Sequence, residues 1–399
     1  MKILIKNGKL VDPANDVDAF YDVLIDGDKV AEVAQDIDPE VLGEGDRLID
    51  AFGKVVMPGF IDLHVHLREP GFEYKETIQT GCAAAARGGV TTICPMPNTK
   101  PVIDSPERVK DLLERAKDAP VHVLPIGAVT VGQEGRELAD IEGMLNAGIV
   151  ALSEDGKSVM DSLLFRHAME QAAQYEIPMF SPCEEKPLVD GGVMNAGEKA
   201  EELGLPGITN AVEDVIVARD ILISKETGAK LHLCHCSTSD SAVLVGMAKD
   251  QGLRVTAEVC PHHFTMSDQE ITEDDGRFKM NPPLRSPKDV QALKDALASG
   301  VMDVISTDHA PHGAEEKAQS MLKAPFGIVG LETSFALGFT ELVQGGCLSL
   351  SQLVEKMSVN PARVLDIDKG NLAPGKIADL VIADVEHQYE INSASFASK

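Results

Sequence analysis

Tryptophan is absent and aromatic residues make up only 4% of the 399 residues, so any core must be built from aliphatic side chains. Hydrophobic residues at 44% supply ample material for one. Basic residues are scarce: 36 Lys and Arg face 64 Asp and Glu, a formal net charge of −28. That field repels phosphate backbones and anionic lipid headgroups, which argues against nucleic-acid and membrane-surface binding. It leaves a small anionic ligand open, because a few cations inside a cleft outweigh distant charge. No apolar run approaches the roughly 18 residues needed to cross a bilayer, and a cytoplasmic location is expected. The seven cysteines (82, 94, 183, 234, 236, 260 and 347) are odd in number and scattered, which argues against a disulfide framework.

At about 150 residues per domain the length allows two or three domains. Residues 1–57 alternate short apolar runs with Asp, Asn, Gly and Pro turns, the pattern of a small antiparallel sheet. From Val55 the period changes. Apolar runs near 57–66, 91–97, 121–129, 149–154, 177–183, 230–236, 254–260 and 303–307 alternate with helical stretches. Ser105-Pro106 and Ser286-Pro287 read as helix starts, and Gly89, Gly148, Gly228, Gly252, Gly300 and Gly346 as helix ends. Eight such units with nearly continuous Val, Ile and Leu strands predict an α/β fold, a closed (β/α)8 barrel of the TIM type. After Asp366 the pattern is β again, around Leu380-Val381-Ile382-Ala383. The expected organisation is a barrel over 58–367 inserted in a small β-sandwich made from both chain ends, 1–57 and 368–399. The polar end Asn392-Ser393-Ala394-Ser395 is expected to fray.

The C-terminal ends of barrel strands are where such folds build active sites. His64 and His66 sit two apart at the end of the first strand, so both rings face one side, about 6–7 Å apart along the chain. The other strand ends carry Asn98, Asp155, Cys183-Glu184, His235, His262-His263 and Asp308-His309. Imidazoles and carboxylates without a thiolate cage suit Zn²⁺ or Mn²⁺ in an open, hydrolytic site. By strand alternation, Cys234 and Cys236 face away from His235 and are assigned to the core, and His232 to packing.

Four segments together resemble a known family. His64-Val65-His66-Leu67-Arg68-Glu69-Pro70-Gly71, Met96-Pro97-Asn98-Thr99, Lys279-Met280-Asn281-Pro282-Pro283-Leu284-Arg285 and Thr307-Asp308-His309-Ala310-Pro311-His312 are similar to the signatures of bacterial class I dihydroorotases in the amidohydrolase superfamily. The resemblance implies reversible, metal-dependent hydrolysis of dihydroorotate to carbamoyl aspartate, in pyrimidine biosynthesis. It implies that His64, His66 and Asp308 bind one metal, that Asp155 bridges to a second held by His235, and that Asp308 is the catalytic proton carrier. Arg68, Asn98 and His312 would hold the substrate carboxylate, and Asn281 with the backbone at Phe326 and Gly327 the ring. A homo-oligomer, and association with aspartate carbamoyltransferase, are further implications.

The resemblance breaks at Pro182, which stands where the family has a histidine ligand for the second metal. Proline offers no donor atom, so one Zn²⁺ is expected to bind firmly and a second weakly. Alternation turns Ser181 and Cys183 away, while Glu184 faces the right way beyond the strand end. Two other readings follow: a cyclic amidase of the dihydropyrimidinase, hydantoinase or allantoinase kind, and an impaired homologue serving as a structural partner of aspartate carbamoyltransferase. Asp155 speaks against the first, since those relatives typically bridge their metals with a carboxylated lysine.

Overall fold

The computed structural model describes all 399 residues. Its centre is a parallel barrel whose strands are Phe60–Val65, Val90–Pro95, His122–Val123 continuing as Ile126–Ala128, Ala151–Ser153, Met179–Ser181, Leu231–Leu233, Val255–Val259 and Val304–Ile305. Pro125 interrupts the third strand because it has no N–H to give the ladder, yet its carbonyl still accepts from Val150 N at 3.0 Å. The barrel closes where His66 N donates to His309 O at 2.8 Å and Leu63 N to Ser306 Oγ at 3.2 Å. Each expected strand lies within its sequence window, apart from the second, which starts one residue early at Val90. Of the two expected serine caps, Ser286 accepts from Asp289 N while the Ser105 side chain makes no cap bond.

Strands buried on both faces read as unbroken apolar runs because each face meets a different layer. Outward residues such as Val65, Ile93, Leu152, Met179 and Leu231 pack under the surrounding helices. Inward residues Ile61, Leu63, Cys94, Met96, Ile126, Ala151, Phe180, Cys234 and Val304 fill the barrel, and Ala362, Val364 and Leu365 of the helix Asn360–Leu365 plug it from beneath. Each large side chain fully buried there contributes about 1.5–3 kcal/mol. With its bottom sealed, the barrel opens only at the strands' C-terminal ends.

The two chain ends meet in a sandwich. One sheet runs Lys29–Ala34, Asp22–Asp26, Lys2–Lys6, Arg47–Asp50, and the other Leu380–Ala383, Val55–Pro58, Lys9–Asp12, Val17–Phe20. Leu380–Ala383 pairs antiparallel with Val55–Pro58, Val381 lying opposite Met57. The sheets are mixed rather than antiparallel, since Arg47–Asp50 runs parallel to Lys2–Lys6 and Val55–Pro58 to Lys9–Asp12. Ile5, Leu10, Val23, Ile25, Val30, Val56 and Leu372 form the interior. Bonds to the barrel begin at the far edge of the polar end and lie mainly beyond it: Arg87 Nη1 donates to Ser395 O at 2.5 Å, Ala397 N to Glu332 Oε1 at 2.8 Å and Ser398 Oγ to Glu76 Oε2 at 2.5 Å, while Asn392, Ser393 and Ala394 are exposed.

Candidate active site

His64, His66, Asp155, His235 and Asp308 all lie at or just beyond strand ends, and all are buried. Three residues at the mouth hold left-handed backbone: Arg68 (φ 60°), His235 (φ 34°) and Asp308 (φ 46°). Such conformations cost about 1–3 kcal/mol each in a non-glycine residue and persist only where surrounding bonds hold them. At His235 that hold is Glu258, whose Oε1 accepts from His235 N at 3.2 Å.

The imidazoles and carboxylates converge. His66 Nε2 is 3.0 Å from Asp308 Oδ1 and 3.5 Å from Asp155 Oδ2, while His64 Nε2 is 3.3 Å from Asp155 Oδ1 and 3.5 Å from Asp308 Oδ1. His235 Nε2 stands 3.9 Å from Asp155 Oδ1. His64 Nε2 is buried with no hydrogen-bond partner. Burial alone would raise the Asp155 carboxyl, but the facing His64, His66 and His235 outweigh it and hold it well below the usual carboxylate range; Asp308 moves the same way for the same reason. His64 is correspondingly pulled well above the usual imidazole value by Asp308 and Asp155, against the desolvation that opposes its charge. Two ionised carboxylates facing three imidazoles, with His64 Nε2 left without a hydrogen-bond partner, fit a divalent cation in donor type and in charge, the cation taking the place of the ring proton. His64, His66 and Asp308 form one group whose donor atoms lie within 4.8 Å of one another, and His64, Asp155 and His235 another.

The far ring nitrogens are fixed from behind. His64 Nδ1 is 2.8 Å from Glu258 Oε1, and His66 Nδ1 is 3.0 Å from Asn98 Oδ1. These bonds orient each ring and aim Nε2 inward. Glu258 escaped the sequence reading because it sits mid-strand, between Ala257 and Val259, not at a strand end. Its carboxyl lies well below the usual range: desolvation works against that, and bonds from His232 and His64 prevail. His232 is therefore more than packing, its Nε2 lying 3.1 Å from Glu258 Oε2. Cys234 is a core residue, as expected, but not on the expected face. The left-handed turn at His235 breaks strand alternation, so Cys234 faces the barrel interior with His64 and Glu258.

A cavity of about 550 Å³ opens above this cluster, bounded by Arg68, Asn98, Asn281, Phe326 and Gly327 among others. Arg68 Nε donates to Pro311 O at 3.1 Å, and Asn98 Nδ2 donates to Asp155 Oδ2 at 3.1 Å. His312 lies behind Arg68, its Nε2 3.2 Å from Arg68 Nη2 and 2.8 Å from Phe326 O. Lys75, missed in the sequence, donates to His312 Nδ1 at 3.0 Å, which puts the ring proton on Nε2, toward the Phe326 carbonyl. Burial and the cations of Arg68 and Lys75 push His312 down to about 3, so the ring is neutral at pH 7. Gly327 N donates to Lys279 O at 3.0 Å, so the groups left free there are Phe326 N–H and the Gly327 carbonyl. Only glycine fits at 327: φ is 148°, and a Cβ would lie 2.4 Å from Ala310 O.

Pro182 borders the same cavity just past the strand Met179–Ser181, and its carbonyl accepts from Ser158 Oγ at 3.3 Å. Ser181 points outward to Asp220, 2.5 Å away, and Cys183 is buried under the helices, as alternation requires. Glu184 is engaged by Asn281 Nδ2. His309 braces its loop, Nδ1 accepting from Gly330 N at 3.2 Å. His263 lies behind Pro282 with His262 beside it, and burial keeps both rings uncharged, His262 pushed down to about 4 and His263 well below the usual imidazole value.

Comparison with known proteins fits this geometry. Residues 53–241 match the Dihydro-orotase-like family model. The Dihydroorotase of Pelotomaculum thermopropionicum is 48% identical over 399 residues, covering 100% of this chain and 92% of that protein. The chain belongs to the dihydroorotase family. The Dihydroorotase of Staphylococcus epidermidis is 46% identical over 397 residues, with 99% and 92% coverage. Among solved structures, the L-hydantoinase (dihydropyrimidinase) of Arthrobacter aurescens superposes with a TM-score of 0.88 at 27% identity, over 99% of this chain and 89% of that one. This chain thus shares its fold with a protein named as a hydantoinase.

Proposed function

We propose that this chain is a dihydroorotase that interconverts (S)-dihydroorotate and N-carbamoyl-L-aspartate, with His64, His66, Asp155 and Asp308 as the residues that hold a catalytic zinc ion. The approach of their donor atoms to within 3.0–3.5 Å around the unpartnered His64 Nε2 carries the reading. A bound divalent ion would supply a water acidic enough to ionise near neutral pH and would polarise the ring carbonyl.

The chain's own groups do the rest. Arg68 presents its guanidinium edge to the substrate carboxylate, a planar match worth more than a point charge. Asn98 adds its second amide hydrogen, and His312 flanks the pair. Asn281 and the free backbone groups at Phe326 and Gly327 line the side where the ring lies. Asp308 takes a proton from the attacking water as the oxygen bonds to the ring carbonyl carbon. When the carbon–nitrogen bond breaks, Asp308 returns that proton to the departing nitrogen, and cyclisation retraces the path.

Pro182 belongs to this reading. A second ion would have only Asp155 and His235 from the protein, with Glu184 bonded to Asn281, and should bind weakly. Metal content and dihydroorotate hydrolysis, measured on this chain and on Pro182→His, test both points. One tightly held zinc and activity in the former, with a second zinc in the latter, are expected. Equal zinc and equal turnover would overturn the account of Pro182, and cleavage of hydantoin without dihydroorotate would overturn the substrate.

The reading extends to a division into a barrel over 58–367 and a sandwich from 1–57 with 368–399, to a cytoplasmic location, and to self-assembly and association with aspartate carbamoyltransferase. Size-exclusion chromatography of the chain, alone and mixed with that enzyme, registers the last two.

A further inference from the structure

Behind the wall that Pro282 forms on the cavity lies a second set of donors with no residue in common with the cluster just described. The strand Val255–Val259 runs into Cys260, and the single turn Pro261–Thr265 follows at once, placing His262 and His263 beside that thiol. Each of the three offers a donor atom within 4.8 Å of the other two, and all three residues are buried. The imidazole rings lie 4.3 Å apart, centroid to centroid.

The hydrogen bonding is what sets this group apart from packed core. His263 Nε2 is 2.9 Å from Pro282 O, a carbonyl that can only accept, so Nε2 carries the proton and Nδ1 holds a bare lone pair. That Nδ1 has no partner, and neither does His262 Nε2. Two buried, unpartnered imidazole nitrogens have lost water with no bond in its place, and a ring fixed from behind by a carbonyl is the arrangement that presents the other nitrogen to a metal.

We propose that Cys260, His262 and His263 form a further metal site, separate from the catalytic centre, for a borderline-soft divalent ion such as zinc. Thiolate with two neutral imidazoles is a donor set that selects zinc or cobalt(II) over magnesium or calcium. Metal–sulfur and metal–nitrogen bonds of about 2.3 and 2.0–2.1 Å put such donors roughly 3.5 Å apart, so side-chain rotations of about an ångström close the site. On binding, the Cys260 thiol gives its proton to solvent and the sulfur–metal bond forms in its place. The site stands on its own donors and does not depend on which substrate the cavity takes.

Cobalt(II) is the probe, because thiolate-to-cobalt charge transfer absorbs in the near ultraviolet while the catalytic cluster contributes only nitrogen and oxygen. The full chain, stripped of metal and titrated with cobalt(II), is expected to develop that band. Cys260→Ser should lose the band and one equivalent of bound cobalt, His263→Gln should weaken binding at least tenfold, and Cys234→Ser should leave the band in place. Absence of a charge-transfer band in the unaltered chain at saturating cobalt would overturn the site without recourse to any variant. A band lost with Cys234→Ser and kept with Cys260→Ser would place the thiolate beside His64 instead and would overturn it equally.

Discussion

Asp308 and Glu258 both sit within the reach of a histidine in the mouth, yet they should fail differently. Asp308 faces the cavity, and if it carries the proton as proposed its loss removes a step: Asp308→Asn should lower kcat by about 10²–10⁴-fold. Glu258 touches nothing in the cavity. It aligns His64 through Nδ1, bonds His232 and pins His235 N, so Glu258→Gln should weaken metal affinity about 10–100-fold. Activity in that variant should return as zinc is raised, and failure to recover at saturating zinc would show that Glu258 does more than orient. The contrast also marks what the sequence displays. His64, His66, Asp155, His235 and Asp308 were legible because polar residues at the ends of apolar runs stand out. Glu258 was not, because one glutamate within a strand resembles a register error, although an acidic residue in Val255-Thr256-Ala257-Glu258-Val259 was itself a signal. Cys234 was misplaced because the positive φ at His235, which undoes alternation, leaves no trace in residue type.

Among the elements, barrel strands were legible for a simple reason: runs buried on both faces contain little else but aliphatic residues. The excursions between them were not. Residues 184–210 carry a two-stranded sheet, Met194–Asn195 with Gly207–Ile208, too short to set a period of its own. The helix that follows, Ala211–Thr227, opens with Glu213 and Asp214 in its first turn, as the helix dipole favours. Asp214 is half-buried against Thr238 and Ser241, and desolvation, with the nearby Glu213 charge, pushes its carboxyl up to about 6, despite the bonds from Thr238 and Ser241. A carboxyl raised on folding contributes its stability below its unfolded value near 3.8 and loses it as pH rises through about 6. Asp214→Asn, which cannot ionise, should therefore be more stable than the parent at pH 7, by about 1 kcal/mol once solvent screening is allowed for. At pH 4 the gain should vanish. Urea midpoints at the two pH values check this, and an equal gain at both would mean that the charge is not the cause.

Over the whole molecule, two fields act on an anionic substrate. The formal charge of −28 repels it from every direction, while Arg68, Lys157, Lys186 and Arg285 line the cavity, interspersed with Asp155, Glu184, Asp190, Glu213 and Asp308, and attract it at close range. Their ranges differ, and salt separates them. At about 0.01 M ionic strength the Debye length is roughly 30 Å, so an approaching dihydroorotate feels most of the chain's negative surface; at about 0.15 M it is roughly 8 Å, and only the groups lining the mouth still act. Screening should thus remove the distant repulsion first and spare the local attraction. Between those two ionic strengths kcat/KM should rise several-fold, with the change in KM rather than kcat, since chemistry inside the buried cluster is shielded from bulk ions. Above about 0.5 M, where the Debye length shrinks to the size of one ion pair, the gain should level off and then reverse as the Arg68 contact is itself screened. A monotonic fall in kcat/KM from the lowest salt upward would mean that the mouth cations dominate at all distances, and that the acidic surface has no part in substrate entry.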